Sequence, residues 1–397
     1  MKPMKLKIMM PGFFKLHTMK RCVSVFFILL LLLGCKTAQQ IADPKIYSEG
    51  KYLHLDTLGA NLAAELAKNS IKYGFVLRYG FYSNSKAAGL KRTEADPPKT
   101  DFALTDRFNP ASVTKVITAT AVLQLLDKHK YSLDTTIADF LPSGWIIHPT
   151  IRMITFRMIL AHKSGFNNGV PGYEGLKQHV AAGVNPGQIG TWEYSNDAFD
   201  LCRFLIAYLD GYHDTPTSNI DAETLDRFVQ YMQNNIYTPL GIQNVTYAPP
   251  LNYQTLFYTY PPGTTNGTDF RYHPSNPGAA GVQLSINELS LFLFNLINTN
   301  LLLSEAQKKI MLDEDLGWDN QQKWYAIAQP SVRVHSKGGN LPLDSTQSLQ
   351  LFMQYYENGL LVMAMYNGSG SLPAAINIAY TNSLRWQGID GNRDPTQ

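Results

Sequence analysis

The chain has 397 residues, of which 45% are hydrophobic and 16% charged, a balance that excludes an intrinsically disordered protein and allows one large core or two joined ones. The formal net charge of +3 is concentrated at the start. Lys2, Lys5, Lys7, Lys15, Lys20 and Arg21 stand in the first 34 residues without an acid, so residues 35–397 carry −3. A mildly acidic body gives no electrostatic reason to expect nucleic-acid binding.

Residues 19–35 read as a leader. Lys20 and Arg21 precede an apolar run from Val23 to Leu33, about eleven residues, too short to span a bilayer and suited to a signal-peptide core. The end of the run, Leu32-Leu33-Gly34-Cys35, resembles the lipobox of bacterial lipoproteins. The resemblance implies that residues 1–34 are removed and that Cys35 is lipidated; Met19 is an alternative start, and a plain signal peptide or short anchor helix is the alternative reading. Residues 35–50 are expected to form a polar tether. Cys22 leaves with the leader and Cys35 carries lipid, so Cys202, on an apolar helical run, remains as a buried small hydrophobe with no intramolecular disulfide partner.

Beyond the tether, the β-rich run Tyr73–Tyr79 predicts a strand, followed by a loop rich in Lys, Pro and Asp. Asn109 and Pro110 predict a helix start, with Asn109 as cap and Pro110 at the first helical position, continuing through Val116 to Leu126. Tyr131–Leu141 reads as a turn and short helix, and Ile154–Ser164 as a helix closed by Gly165. Helices are also expected over Ala198–Leu209, Asp221–Asn235 and Ser285–Asn298, with a long irregular loop at residues 247–278. The C-terminal third changes character. Gln322–Ala328, Ser331–Lys337, Gln347–Tyr356 and Gly359–Tyr366 read as antiparallel strands, and Leu372–Leu384 as a final helix. Strands, then helices, then strands predict an α+β fold: an antiparallel sheet flanked by helices, with a mostly helical region inserted. The boundaries are a hydrolase domain at 51–390, its sheet part about 51–107 and 320–390 and its helical part about 108–319.

Three short patterns carry chemistry. Ser112 and Lys115 lie three apart at a helix N-terminus, where they share a face and the helix dipole favours developing negative charge. A serine hydroxyl attacks poorly until a neighbouring base takes its proton, so the pair is a candidate nucleophile and base. A second Ser-x-x-Lys, Ser83–Lys86, sits among turn-forming residues with no helix after it. Tyr194-Ser195-Asn196 offers a phenol for proton transfer and an amide to orient a carbonyl. The same spacing occurs at Tyr82, Tyr356 and Tyr380, so it is weak by itself. Lys337-Gly338-Gly339 puts a cation on a strand beside backbone that can approach closely. No His-Glu-x-x-His and no Gly-x-Ser-x-Gly occurs, which removes support from metalloprotease and α/β-hydrolase readings.

Together and in this order, 82 and 143 residues apart, the three patterns resemble the serine β-lactamase and penicillin-binding-protein family. The resemblance is to its class C-like branch of β-lactamases, D,D-carboxypeptidases, D-aminopeptidases and esterases, and it extends over roughly residues 51–390. It implies a β-lactamase/transpeptidase-like fold, with Ser112 acylated and Lys115 and Tyr194 sharing the proton transfers, either one being the base. Asn196, Lys337, Gly338, Gly339 and Asn340 would bind substrate, the oxyanion lying between the backbone N–H groups of Ser112 and a residue near Asn340. It requires no metal or other cofactor. The family usually carries Lys-Thr-Gly, Lys-Ser-Gly or a His-x-Gly variant where this chain has Lys-Gly-Gly, so His335 is an alternative third-motif residue. The expectation is a membrane-anchored lipoprotein of the cell envelope, periplasmic or outer-membrane side. It would hydrolyse a D-amino peptide of peptidoglycan type, a β-lactam or an ester, and bind no nucleic acid. The rival is an inactive binding lipoprotein that keeps the fold.

Overall fold

A computed structural model of the protein describes residues 44–48, 51–247, 255–270, 276–319 and 332–386. The leader, Cys35 and the expected strand at Gln322–Ala328 lie outside the described residues. The N-terminal part holds β1 (Lys45–Ser48), β2 (Lys51–His54), α1 (Leu55–Ala67), β3 (Ser70–Tyr79), β4 (Tyr82–Arg92) and β5 (Thr100–Asp101). The helical part holds α2 (Thr114–His129), α3 (Phe156–Leu160), α4 (Tyr173–Ala182), α5 (Asn196–Leu209), α6 (Ile220–Met232), α7 (Ile286–Asn298) and α8 (Glu305–Asp313). The chain then returns as β6 (Val334–Pro342), β7 (Ser348–Tyr356), β8 (Leu360–Gly368), α9 (Leu372–Ser383) and β9 (Arg385–Trp386).

A six-stranded sheet in the order β5-β4-β3-β8-β7-β6 joins the two ends of the chain. Every pairing in it is antiparallel. Its central strands are buried on both faces, which is why β3 and β8 read as near-continuous apolar runs. The alternation nevertheless sorts their side chains. Phe75, Leu77, Val362 and Ala364 pack with Leu58, Leu62 and Leu66 of α1 and with Leu372 and Ile376 of α9. Val76, Leu361, Met363 and Met365 face the opposite way, into a large core shared with α2, α5 and α7. A smaller sheet, β1-β2-β9, lies at the chain ends.

Several local expectations differ from the structure. α1 was not foreseen, although Leu55, Leu58, Leu62 and Leu66 give it a buried stripe at helical spacing. The decoy Ser83–Lys86 lies within β4, not among turns. The helix expected over Ile154–Ser164 is only Phe156–Leu160, because Thr155 caps it and His162 turns the chain into the left-handed region at φ 56°. Asp221–Asn235 is α-helical to Met232 and widens into a π turn over Gln233–Tyr237. Within the expected loop at 247–278, residues 255–270 are irregular apart from an antiparallel bridge between Phe257 and Thr268. No helix among the described residues is long and apolar enough to cross a membrane.

Candidate active site

The first pattern sits on a tighter turn than foreseen. Ala111–Val113 is a single 3-10 turn and α2 begins at Thr114, so Pro110 precedes the turn instead of opening the helix. Ala111 takes φ 51°, an unusual conformation for a residue with a side chain. Asn109 holds it there: its Oδ1 accepts from Ala111 N at 2.8 Å and from Gly281 N at 3.2 Å. Asn109 therefore fixes the residue before Ser112 and does not act as a simple helix cap. Ser112 is left partly exposed while Lys115, one turn on, is fully buried.

Lys115 Nζ donates to Ser112 Oγ at 3.1 Å, to Asn196 Oδ1 at 2.8 Å and to Ala279 O at 3.0 Å. An ammonium has three donors and no acceptor, so this cage matches the charged form of the side chain. Burial lowers the Lys115 pKa; Tyr194 partly opposes that shift and Lys337 adds to it. The acceptors are themselves anchored. Ala279 N donates to Asp200 Oδ1 at 3.2 Å, and Thr118 Oγ1 donates to Gly278 O at 2.7 Å. A Cβ at Gly278 would stand 2.0 Å from Phe199 O, so only glycine lets this segment lie against α5.

In the second pattern Ser195 caps α5, its Oγ accepting from Ala198 N at 3.1 Å, which puts Tyr194 just before the helix and Asn196 in its first turn. The Tyr194 hydroxyl is 2.5 Å from Ser112 Oγ. Lys115 and Lys337 each hold Nζ 5.0 Å from the Tyr194 ring centroid. Burial alone would raise the phenol pKa, but these two cations, with hydrogen bonds from Lys115 and Ser112, hold Tyr194 below its usual value. His162 clamps the same residue. Its ring stacks on Tyr194 at 4.8 Å and 27°, its Nδ1 accepts from Ser195 N at 3.2 Å and its carbonyl accepts from Glu193 N at 2.8 Å. Burial, helped by Lys337 and Lys115, pushes His162 well below the usual imidazole range, so it is a neutral support.

The third pattern runs straight through β6, with no turn at its glycines. A Cβ at Gly339 would lie 2.5 Å from Pro110 O, so a side chain there would push the strand off the Ser112 turn. Gly338 is less confined, its nearest neighbours for a Cβ being Phe352 Cε2 at 3.3 Å and Asp319 Oδ2 at 3.5 Å. Lys337 is buried and donates to Asp319 Oδ1 at 2.7 Å. His335 shares that face of the strand but packs against Trp318 and Tyr355, with Glu357 3.4 Å from its Nε2. The structure thus places Lys337, not His335, beside Tyr194. Ser112, Tyr194, Asn196, Gly338, Gly339 and Asn340 all border one open cleft of about 590 Å³. A separate cavity of about 870 Å³ along α6 contains none of them.

A sequence profile of the Beta-lactamase family matches residues 82–380. The chain belongs to that family. It shares its fold with the class C β-lactamase from Rhodobacter sphaeroides, at a TM-score of 0.60 and 16% identity, covering 82% of this chain and 97% of the other. FmtA from Staphylococcus aureus is similar at a TM-score of 0.61 and 14% identity, covering 85% and 89%. PbpX of Bacillus subtilis (strain 168), which bears a penicillin-binding-protein name, is 26% identical over 141 residues, 34% of this chain. That match spans 31% of PbpX, about a third of its length.

Sequence reasoning did not reach Asp319, His162 or Asp200. His162 lies in the stretch expected to be a helix over Ile154–Ser164, but its stacking on Tyr194 has no signature in one chain. Asp319 stands 18 residues before its partner Lys337 with no local pattern around it. The two-cation setting of Tyr194 generates a prediction. Lys337→Met should raise the Tyr194 pKa, because it removes a cation that favours the phenolate and leaves the Asp319 carboxylate uncompensated nearby. The Tyr194 Cζ NMR shift followed against pH, assigned with Tyr194→Phe, reads the change; an unmoved or lower midpoint would exclude Lys337 as a cause.

Proposed function

We propose that this member of the Beta-lactamase family is a serine hydrolase acting through an acyl-Ser112 intermediate, anchored in the cell envelope by lipid on Cys35. The observation that carries the reading is the contact of Ser112 Oγ with both Tyr194 OH and Lys115 Nζ at the edge of an open cleft. Of the two candidate bases, Tyr194 is favoured. All three Lys115 donors are engaged by oxygen acceptors, which suits a retained proton, whereas the Tyr194 hydroxyl lies 2.5 Å from Ser112 Oγ, where it can take the serine proton.

In this reading Tyr194 takes the Ser112 proton as Oγ bonds to the substrate carbonyl carbon. The oxyanion lies between the Ser112 and Asn340 backbone N–H groups, with Asn196 orienting the substrate through Nδ2, since Lys115 occupies its Oδ1. Tyr194 then returns the proton to the leaving group as the carbonyl–leaving-group bond breaks. Water, deprotonated by the same phenolate, then attacks the acyl carbon; the carbonyl–Oγ bond breaks and Tyr194 passes that proton to Ser112 Oγ, which restores the free serine. The test is covalent labelling by a serine-reactive phosphonate. Wild type should be modified at Ser112, Ser112→Ala should lose both label and turnover while folded, and Ser83→Ala, exposed on β4, should keep both. A folded, unlabelled wild type would favour the binding-lipoprotein reading.

Substrates remain those of the family at large: D-amino peptides, β-lactams and esters. Gly338 offers no hydroxyl where Lys-Thr-Gly members help bind a substrate carboxylate, and a hydrogen bond to a charged group is worth roughly 1.5–3 kcal/mol. A small activated ester should therefore be turned over with at least about tenfold higher kcat/KM than a cephalosporin. Equal efficiency would show the carboxylate to be held by another group. For the anchor, Cys35→Ser should move the protein from the membrane to the soluble fraction or stall its processing. A wild-type protein found soluble, with its N-terminus beyond Cys35, would contradict the lipid.

A further inference from the structure

The Lys337 cation is not presented free to the cleft. One carboxylate, that of Asp319, takes both donors at this point: Lys337 Nζ bonds to Oδ1 at 2.7 Å and Gly338 N bonds to Oδ2 at 2.7 Å. Two donors meeting two oxygens of one carboxylate is the arrangement expected for a bound anion. The Lys337 side chain is fully buried and that of Asp319 is 11% exposed, so the pair is only weakly screened. Asp319 nevertheless borders the cleft that holds Ser112. The other described polar groups along that cleft are neutral amides and hydroxyls, such as Asn196, Asn340, Ser348 and Gln350, apart from the Tyr194 phenol.

We propose that Asp319 is a specificity-determining residue, a built-in carboxylate occupying the anion site that Lys337 and the Gly338 N–H would otherwise offer a substrate. The proposal rests on the acyl-Ser112 reading. It narrows the substrate class to acyl donors that are uncharged beside the scissile bond, such as neutral esters or amides. An acyl donor with a carboxylate at that place finds its cation and its backbone donor already taken and meets a like charge. This is separate from the missing hydroxyl at position 338. A threonine there would find Asp319 Oδ2 as a close acceptor, since a Cβ at Gly338 lies 3.5 Å from it.

A chromogenic cephalosporin and its methyl ester form a matched pair that differs only in the carboxylate. Wild type should favour the methyl ester. Asp319→Asn keeps an acceptor for the Gly338 N–H but removes the charge, and should move the kcat/KM ratio towards the free acid by about ten- to a hundredfold, mainly through KM. In the double variant Asp319→Asn/Lys337→Met that gain should vanish, because the freed cation is its source. If Asp319→Asn does not fold by circular dichroism, wild type still decides: the methyl ester, not the acid, should protect Ser112 from phosphonate labelling. An unchanged ratio in a folded Asp319→Asn, a gain that survives loss of Lys337, or equal protection by acid and ester would overturn the proposal. Failure of wild type to label at Ser112 at all would instead sink the underlying hydrolase reading.

Discussion

The burial of the Lys115 ammonium is the constraint on which the rest of the site depends. A cation removed from water costs several kcal/mol unless every donor finds an acceptor. Here the three acceptors come from three distant parts of the chain: the Ser112 turn, the first turn of α5 and the segment around Ala279. Satisfying one side chain therefore fixes the mutual placement of α2, α5 and the loop before α7. The same contacts set Ser112 Oγ and Asn196 at the cleft edge. Packing and chemistry are not separable at this point: a loosened Ala279 segment would leave a buried donor unpaired and also shift the proton balance of Tyr194.

The Tyr194 phenol shows how such a balance is set. Desolvation favours its neutral form, and two nearby cations together with hydrogen bonds from Lys115 and Ser112 bring its pKa below the usual phenol value. His162 contributes no charge, since its own proton affinity is suppressed by burial and the same two lysines. What it contributes is position. It holds Tyr194 through a ring stack and hydrogen bonds to the peptide groups on either side, and it accepts a left-handed backbone conformation to do so. Glycines play the complementary part. Gly278 and Gly339 allow backbone to approach backbone where a methyl group would collide with a carbonyl oxygen.

Asp319 gives the site an electrostatic character that the three motifs alone do not convey. Lys337 serves two neighbours at once, acting on Tyr194 as a cation and on Asp319 as an ion-pair partner. The pairing leaves its local field on the phenol but withdraws it as a free anchor for a ligand anion. A lysine on β6 can thus sit beside Tyr194 while its ammonium is already held by a carboxylate of the same chain.

The amino-acid sequence by itself determined the α+β class, the strand–helix–strand order and the motif residues that gather at one cleft. These are legible because apolar periodicity and short motifs are local properties of the chain. The serine and lysine share a face because helical geometry puts residues three apart together, whichever turn type begins the helix. Only the tertiary structure decided that Lys337 and not His335 lies beside Tyr194. Strand alternation puts both on the same face, and the packing of His335 against Trp318 and Tyr355 separates them. The left-handed turns at Ala111 and His162, the stack on Tyr194 and the capture of Lys337 by Asp319 were likewise invisible. Each depends on residues brought together from separate segments, and a contact of that kind leaves no periodicity or spacing in a single sequence.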